Sequence, residues 1–122
     1  MAGVIELDPR VKLISTAELK KMIDSKEDFL LVDVNPRERF DKHHIQGATF
    51  VEYETAARWF LQNSVPKDRQ IVLYCENTMC TSSPLVSNKL AKLGYTNVSE
   101  YPEGIQDWMK AGGEFEGNDK QK

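Results

Sequence analysis

The chain is 122 residues long, 40% hydrophobic and 29% charged, which suits one globular domain and is short for two. Its 16 basic and 19 acidic residues leave a net charge of −3, which argues against a nucleic-acid binder and against a membrane-surface protein. No apolar run approaches the roughly 18–20 residues of a membrane-spanning helix, and two cysteines are few for a secreted scaffold stapled by disulfides.

Residues 1–10 carry Glu6 and Asp8 and lack the charged-then-apolar order of a signal peptide. A loose segment and a cytoplasmic location are expected from them. Residues 11–116 read as the folded domain and residues 117–122 as a flexible polar tail. Within the domain, residues 11–14 form a short β-prone piece. Ser15 and Glu18 then make a capping box, opening a helix with Leu19, Met22 and Ile23 on one face. Residues 29–32 are a continuous apolar run ending in Asp33 and Val34, as expected of a strand buried on both faces. Asn35 and Pro36 break it, with Pro36 at a first helical position. Residues 37–43 are a short polar helix or turn anchored by Phe40. A third strand is expected over residues 47–51. Residues 55–62 are helical, with Ala56, Trp59 and Phe60 as the apolar stripe.

The strongest strand pattern is residues 70–75, ending on Cys75. A loop of residues 76–82 follows. Ser83 reads as the N-cap of the next helix, with Pro84 at its first position. Val86, Leu90 and Leu93 form that helix's buried face, and Gly94 ends it. Residues 97–101 are a fifth strand. Residues 104–111 are a last helix carrying Ile105, Trp108 and Met109. This alternation predicts an α/β three-layer sandwich around a five-stranded, mostly parallel sheet.

Ligands in such sheets bind beyond the carboxyl ends of the strands. Cys75 lies at such an end, ahead of a loop that feeds a helix N-terminus. A helix N-terminus offers unpaired N–H groups and the positive end of a dipole. Both favour a thiolate, the reactive form of cysteine. The plainer reading is a buried cysteine at the end of a strand.

Several segments, in this order, resemble the single-domain rhodaneses, a sulfurtransferase family. Asp33-Val34, Phe40, His44-Ile45 and Gly47-Ala48 resemble the family's first signature. Ile71 to Cys75 resembles the strand that ends in its catalytic cysteine. Leu93-Gly94-Tyr95, Asn97-Val98, Gly104-Ile105, Trp108 and Ala111-Gly112 resemble the closing signature. The resemblance implies that Cys75 is catalytic and that Glu76, Asn77, Thr78, Met79, Cys80 and Thr81 form the substrate-binding loop. Cys75 would carry sulfane sulfur as a persulfide and pass it to a nucleophile. The donor would be a small sulfur compound or a persulfide-carrying protein, and the acceptor a thiol or cyanide-type molecule. No metal or organic cofactor is implied.

The loop departs from the family pattern. Thr78 and Cys80 stand where a glycine and an arginine are common, and Thr81 stands where phosphatase-like relatives carry arginine. Without a cation, the loop is expected to favour polysulfide or a persulfide carrier over doubly charged thiosulfate. A bidentate phosphate clamp is missing. Asn35, Arg39 and His43 also depart, and a structural arginine–glutamate pair cannot form there.

Cys80 has two readings. It is a resolving thiol that attacks a Cys75 persulfide and releases sulfide, or a small loop residue that a tight cradle keeps away from Cys75. The second is the expectation here. His43 and His44 match no zinc spacing, and His44 is expected to make structural hydrogen bonds. Asp33 is expected to cap a nearby loop, or else to act as an acid–base. Trp59 and Phe60 read as core or as a pocket wall. Met79 either shelters a persulfide or packs. Two readings compete with the sulfurtransferase: a non-catalytic rhodanese-like binding module, and a dithiol redox protein using both cysteines.

Overall fold

A computed structural model describes residues 5–121. In chain order the elements are β1 (Lys12–Leu13), α1 (Thr16–Asp24), β2 (Leu30–Asp33), α2 (Arg37–Lys42), β3 (His44–Ile45) and β4 (Thr49–Phe50). Then come α3 (Ala56–Gln62), β5 (Ile71–Tyr74), α4 (Ser82–Lys92), β6 (Val98–Glu100), α5 (Gly104–Lys110) and β7 (Phe115–Glu116). Five strands form one sheet in the order β1-β6-β5-β2-β4. Each of its pairings is parallel.

The strands show the period of two that a sheet covered on both faces requires. Val32, Ile71, Leu73, Cys75 and Val98 face one core cluster with Phe60 of α3 and Val86 and Leu90 of α4. Leu31, Val72 and Tyr74 face the other, with Leu19 of α1 and Ile105 and Trp108 of α5. β5 is central, and all four of its residues are buried. Its carboxyl end is therefore the best-fixed point at this edge of the sandwich.

The capping box expected at Ser15 is formed. The Glu18 N–H donates to Ser15 Oγ at 3.1 Å, and the Ser15 N–H donates to Glu18 Oε1 at 2.8 Å. Ser15→Ala leaves a helix N–H unpaired and should cost about 1 kcal/mol. A urea midpoint equal to the wild type's would contradict this.

Some expectations need correction. The third strand shrinks to β4, and β3 pairs antiparallel with β7 instead. Fully buried Ile45 accounts for this, because it turns the chain into the α1/α5 core just before β4. The fourth helix starts at Ser82 with Thr81 as its cap, rather than at Pro84 with Ser83 as its cap. The Ser83 hydroxyl is drawn inward to Glu100 and is not available as a cap. Pro36 is the cap of α2 rather than its first residue.

The ends are also tied in. The Asp8 N–H donates to Asn88 Oδ1 at 2.7 Å, and Asn88 Nδ2 donates to the Glu6 carbonyl at 2.9 Å. Beyond β7 a 3-10 turn covers Asn118–Gln121, where Asp119 Oδ2 meets His43 Nδ1 at 2.9 Å. The looseness expected of residues 1–4 and 122 lies outside the described residues. Among the described residues, no helix is long and apolar enough to cross a membrane.

Candidate functional site

Cys75 follows β5 directly and is 2% exposed. The chain then turns over it through residues 76–81 into α4. Asn77 builds the turn. Its side-chain oxygen accepts the Met79 N–H at 2.9 Å, and its carbonyl accepts the Cys80 N–H at 3.1 Å. The Met79 and Cys80 amides are therefore used internally, although an anion cradle would need them free.

That turn carries Cys80 back over Cys75, and the two form a disulfide with a Cα–Cα distance of 6.4 Å. The expectation that the loop keeps them apart is corrected. The separation falls inside the roughly 4.4–6.8 Å that a disulfide tolerates, because the Asn77 turn folds the five-residue spacing back on itself.

The other side of Cys75 was missed in the sequence. Ser83 Oγ lies 3.3 Å from Cys75 Sγ and donates to Glu100 Oε2 at 2.7 Å. Ser87 Oγ donates to Glu100 Oε1 at 3.3 Å. All three polar residues are buried, Glu100 being 3% exposed. Burial pushes the Glu100 carboxyl up to about 7, although the hydrogen bonds from Ser83 and Ser87 oppose this. One signal could have revealed it. Val98 faces the core, so Glu100, two residues later on the same strand, must face it too.

The remaining loop residues divide by partner. Glu76 Oε2 accepts from Gln106 Nε2 at 3.0 Å and lies 3.5 Å from His43 Nε2, an ion pair when His43 is protonated. Asn77 Nδ2 donates to Gln106 Oε1 at 3.1 Å. Met79 is 85% exposed, so it neither packs nor shelters the sulfur. Thr81 caps α4, its carbonyl accepting the Leu85 N–H at 3.2 Å. A cavity of about 510 Å³ opens beside the loop, lined by Leu13, Met79, Cys80, Thr81, Pro84 and Glu100 among others. Another, of about 400 Å³, lies against Asn35, Arg37, Glu52 and Ser82.

The outlying candidates have structural partners. Asp33 Oδ1 accepts the Asn35 N–H at 2.8 Å, and burial raises its carboxyl above the ordinary range. His44 Nδ1 meets the Phe40 carbonyl at 2.7 Å, and its ring stacks on Phe40. Phe60 and Trp59 pack in the same cluster as Cys75 and line neither cavity beside the loop.

The model of the rhodanese-like domain matches residues 15–111. The chain belongs to that family. This rhodanese-like domain is 28% identical over 101 residues to the adenylyltransferase and sulfurtransferase UBA4 of Candida albicans, covering 78% of the chain and 23% of that protein. It therefore spans less than a quarter of that relative. It is 29% identical over 86 residues to the thiosulfate sulfurtransferase GlpE of Actinobacillus succinogenes, covering 70% of the chain and 74% of GlpE. Among solved structures, the rhodanese-like domain of the Anabaena Alr3790 protein superposes with a TM-score of 0.80 at 26% identity, covering 90% of the chain and 82% of that domain.

Proposed function

We propose that this domain is a sulfurtransferase that carries sulfane sulfur on Cys75. The observation behind this reading is the placement of Cys75: a fixed strand end, under a loop and ahead of a helix start, beside a hydroxyl–carboxyl pair. The reduced thiol attacks a donor's sulfane sulfur. The donor's sulfur–sulfur bond breaks, and Cys75 becomes a persulfide. An acceptor thiol or cyanide then attacks the outer sulfur and frees Cys75. The loop 76–81 holds no lysine, arginine or histidine. A polysulfide or persulfide carrier therefore suits it better than thiosulfate, and kcat/KM should be lower for thiosulfate. The domain is expected to work in the cytoplasm on a small donor or a persulfide-carrying protein.

The disulfide favours a second reading, a dithiol cycle. The Cys80 thiolate attacks the inner sulfur of a Cys75 persulfide, the Cys75–Cys80 bond forms, and hydrosulfide leaves. An external dithiol must then reduce the disulfide.

One experiment separates these. Reduced protein is assayed with a persulfide donor and a cyanide acceptor. Cys75→Ser should fall to background while Cys80→Ser keeps turning over. Release of one equivalent of hydrosulfide with no acceptor present, in the wild type and not in Cys80→Ser, selects the dithiol cycle. If the reduced wild type transfers sulfur from no donor, both readings fail and a non-catalytic binding module stands.

A further inference from the structure

The buried carboxyl of Glu100 needs a reason. Its register partners are Leu13 on β1 and Leu73 on β5, both apolar. The side chains clustered on its face of the sheet include Leu73, Val86, Leu90 and Val98. A parallel strand covered on both faces takes an aliphatic side chain at such a position without cost, whereas a carboxyl there loses hydration. Among the described residues, no cation is paired with it. The ionisable groups on the elements packed around it are Lys12 on β1, Cys75 after β5, and Lys89 and Lys92 on α4. Glu6 and Asp8 precede β1, and Glu103 follows β6. The three lysines are exposed. The hydrogen-bond partners of Glu100 are two serine hydroxyls, one of which touches Cys75.

We propose that Glu100, acting through Ser83, holds the Cys75 proton while sulfur is transferred. This rests on the sulfurtransferase reading above and adds a positioning residue to it. In the first half-reaction Cys75 Sγ bonds to the sulfane sulfur of a donor persulfide, and the donor leaves as a thiolate. The Cys75 proton passes to Ser83 Oγ as the hydroxyl's own proton passes to Glu100 Oε2. In the second, an acceptor thiolate attacks the outer sulfur and the bond to Cys75 Sγ breaks. Cys75 takes the electron pair and a proton from Ser83, which Glu100 restores. The carboxyl ends as it began.

The test uses two readouts. One is iodoacetamide alkylation of Cys75 in reduced protein carrying Cys80→Ser, followed by mass spectrometry between about pH 5 and 9. The other is single-turnover sulfur transfer from a persulfide donor over the same range. Both should show an inflection near 7, where Glu100 titrates. Glu100→Gln should remove the inflection and slow both at neutral pH, by about tenfold for alkylation and about a hundredfold for transfer. Ser83→Ala, which leaves Glu100 bonded to Ser87, should do the same. A carboxylate merely lying near the sulfur acts in the opposite direction. It repels the thiolate, so its removal would speed alkylation at neutral pH. Faster alkylation, or a profile unchanged in both variants, overturns the proposal. The two readings fail separately. If Cys75 gains no sulfur from any donor, the sulfurtransferase reading falls, and the alkylation profile still decides the relay.

Discussion

Replacing Gly104 by alanine should cost about 3 kcal/mol and spoil the loop over Cys75. Two effects add. Gly104 has φ +73°, in the left-handed region that residues with a Cβ avoid. A Cβ built there falls 2.5 Å from the Glu76 carbonyl oxygen and 2.6 Å from the Cys75 carbonyl oxygen. These are backbone atoms of the site and cannot rotate away. The backbone strain is worth about 1 kcal/mol and the overpacking about 1–3. The clash falls where α5 ties the loop down: the Ile105 N–H donates to the Cys75 carbonyl at 3.0 Å, and the Gln106 N–H donates to the Glu76 carbonyl at 3.1 Å. Either the loop lifts or α5 shifts, and both move Cys75 relative to Ser83. Guanidinium denaturation should show the midpoint fall at constant slope, with sulfur transfer falling as well. A loss under about 0.5 kcal/mol would mean that the close approach is not needed.

What the sequence disclosed and what it hid follow from the range of the interactions. Strand β5 was visible because four consecutive apolar residues end at a loop of polar and small residues. The capping box at Ser15 and Glu18 was visible because its partners are three residues apart. Cys75 was placed by the same local logic, a strand end before a helix start. The rest of the site depends on distant parts of the chain. Ser83 and Glu100 are 17 residues apart and meet because α4 packs on β6. The meeting of Cys80 with Cys75 depends on the Asn77 turn, which spacing alone does not set. Glu76 was read only as part of the loop, yet its carboxylate engages Gln106 of α5 and faces His43. Ser83 was misassigned for a physical reason. Serine is favoured at helix starts, and a buried carboxyl competing for its hydroxyl leaves no trace in the neighbouring residues.

Glu100→Gln should stabilise the fold at pH 8 by about 2–3 kcal/mol and leave it nearly unchanged at pH 5. The carboxyl moves from an ordinary 4.5 to about 7 on folding. The folded state therefore binds more protons than the unfolded state between those values, so stability falls as pH rises through this window. The difference amounts to about 3 kcal/mol at the upper end. Glutamine keeps the shape and an acceptor for a serine hydroxyl but cannot ionise. Its extra N–H groups lack full partners, which subtracts about 1 kcal/mol. Burial raises the Asp33 carboxyl in the same direction, so the variant keeps a weaker slope of the same sign. Urea midpoints at pH 5 and pH 8 test this, and an equal gain at both pH values would show that Glu100 does not titrate in the window. The result also bears on why a carboxyl occupies this place. The same substitution should make the protein more stable and less able to move the Cys75 proton. A residue that only filled the core would show no such opposition, and its replacement by a neutral isostere would improve stability at no cost to chemistry. Opposite signs in the two measurements would therefore mark Glu100 as kept for what it does to Cys75, at the expense of the fold.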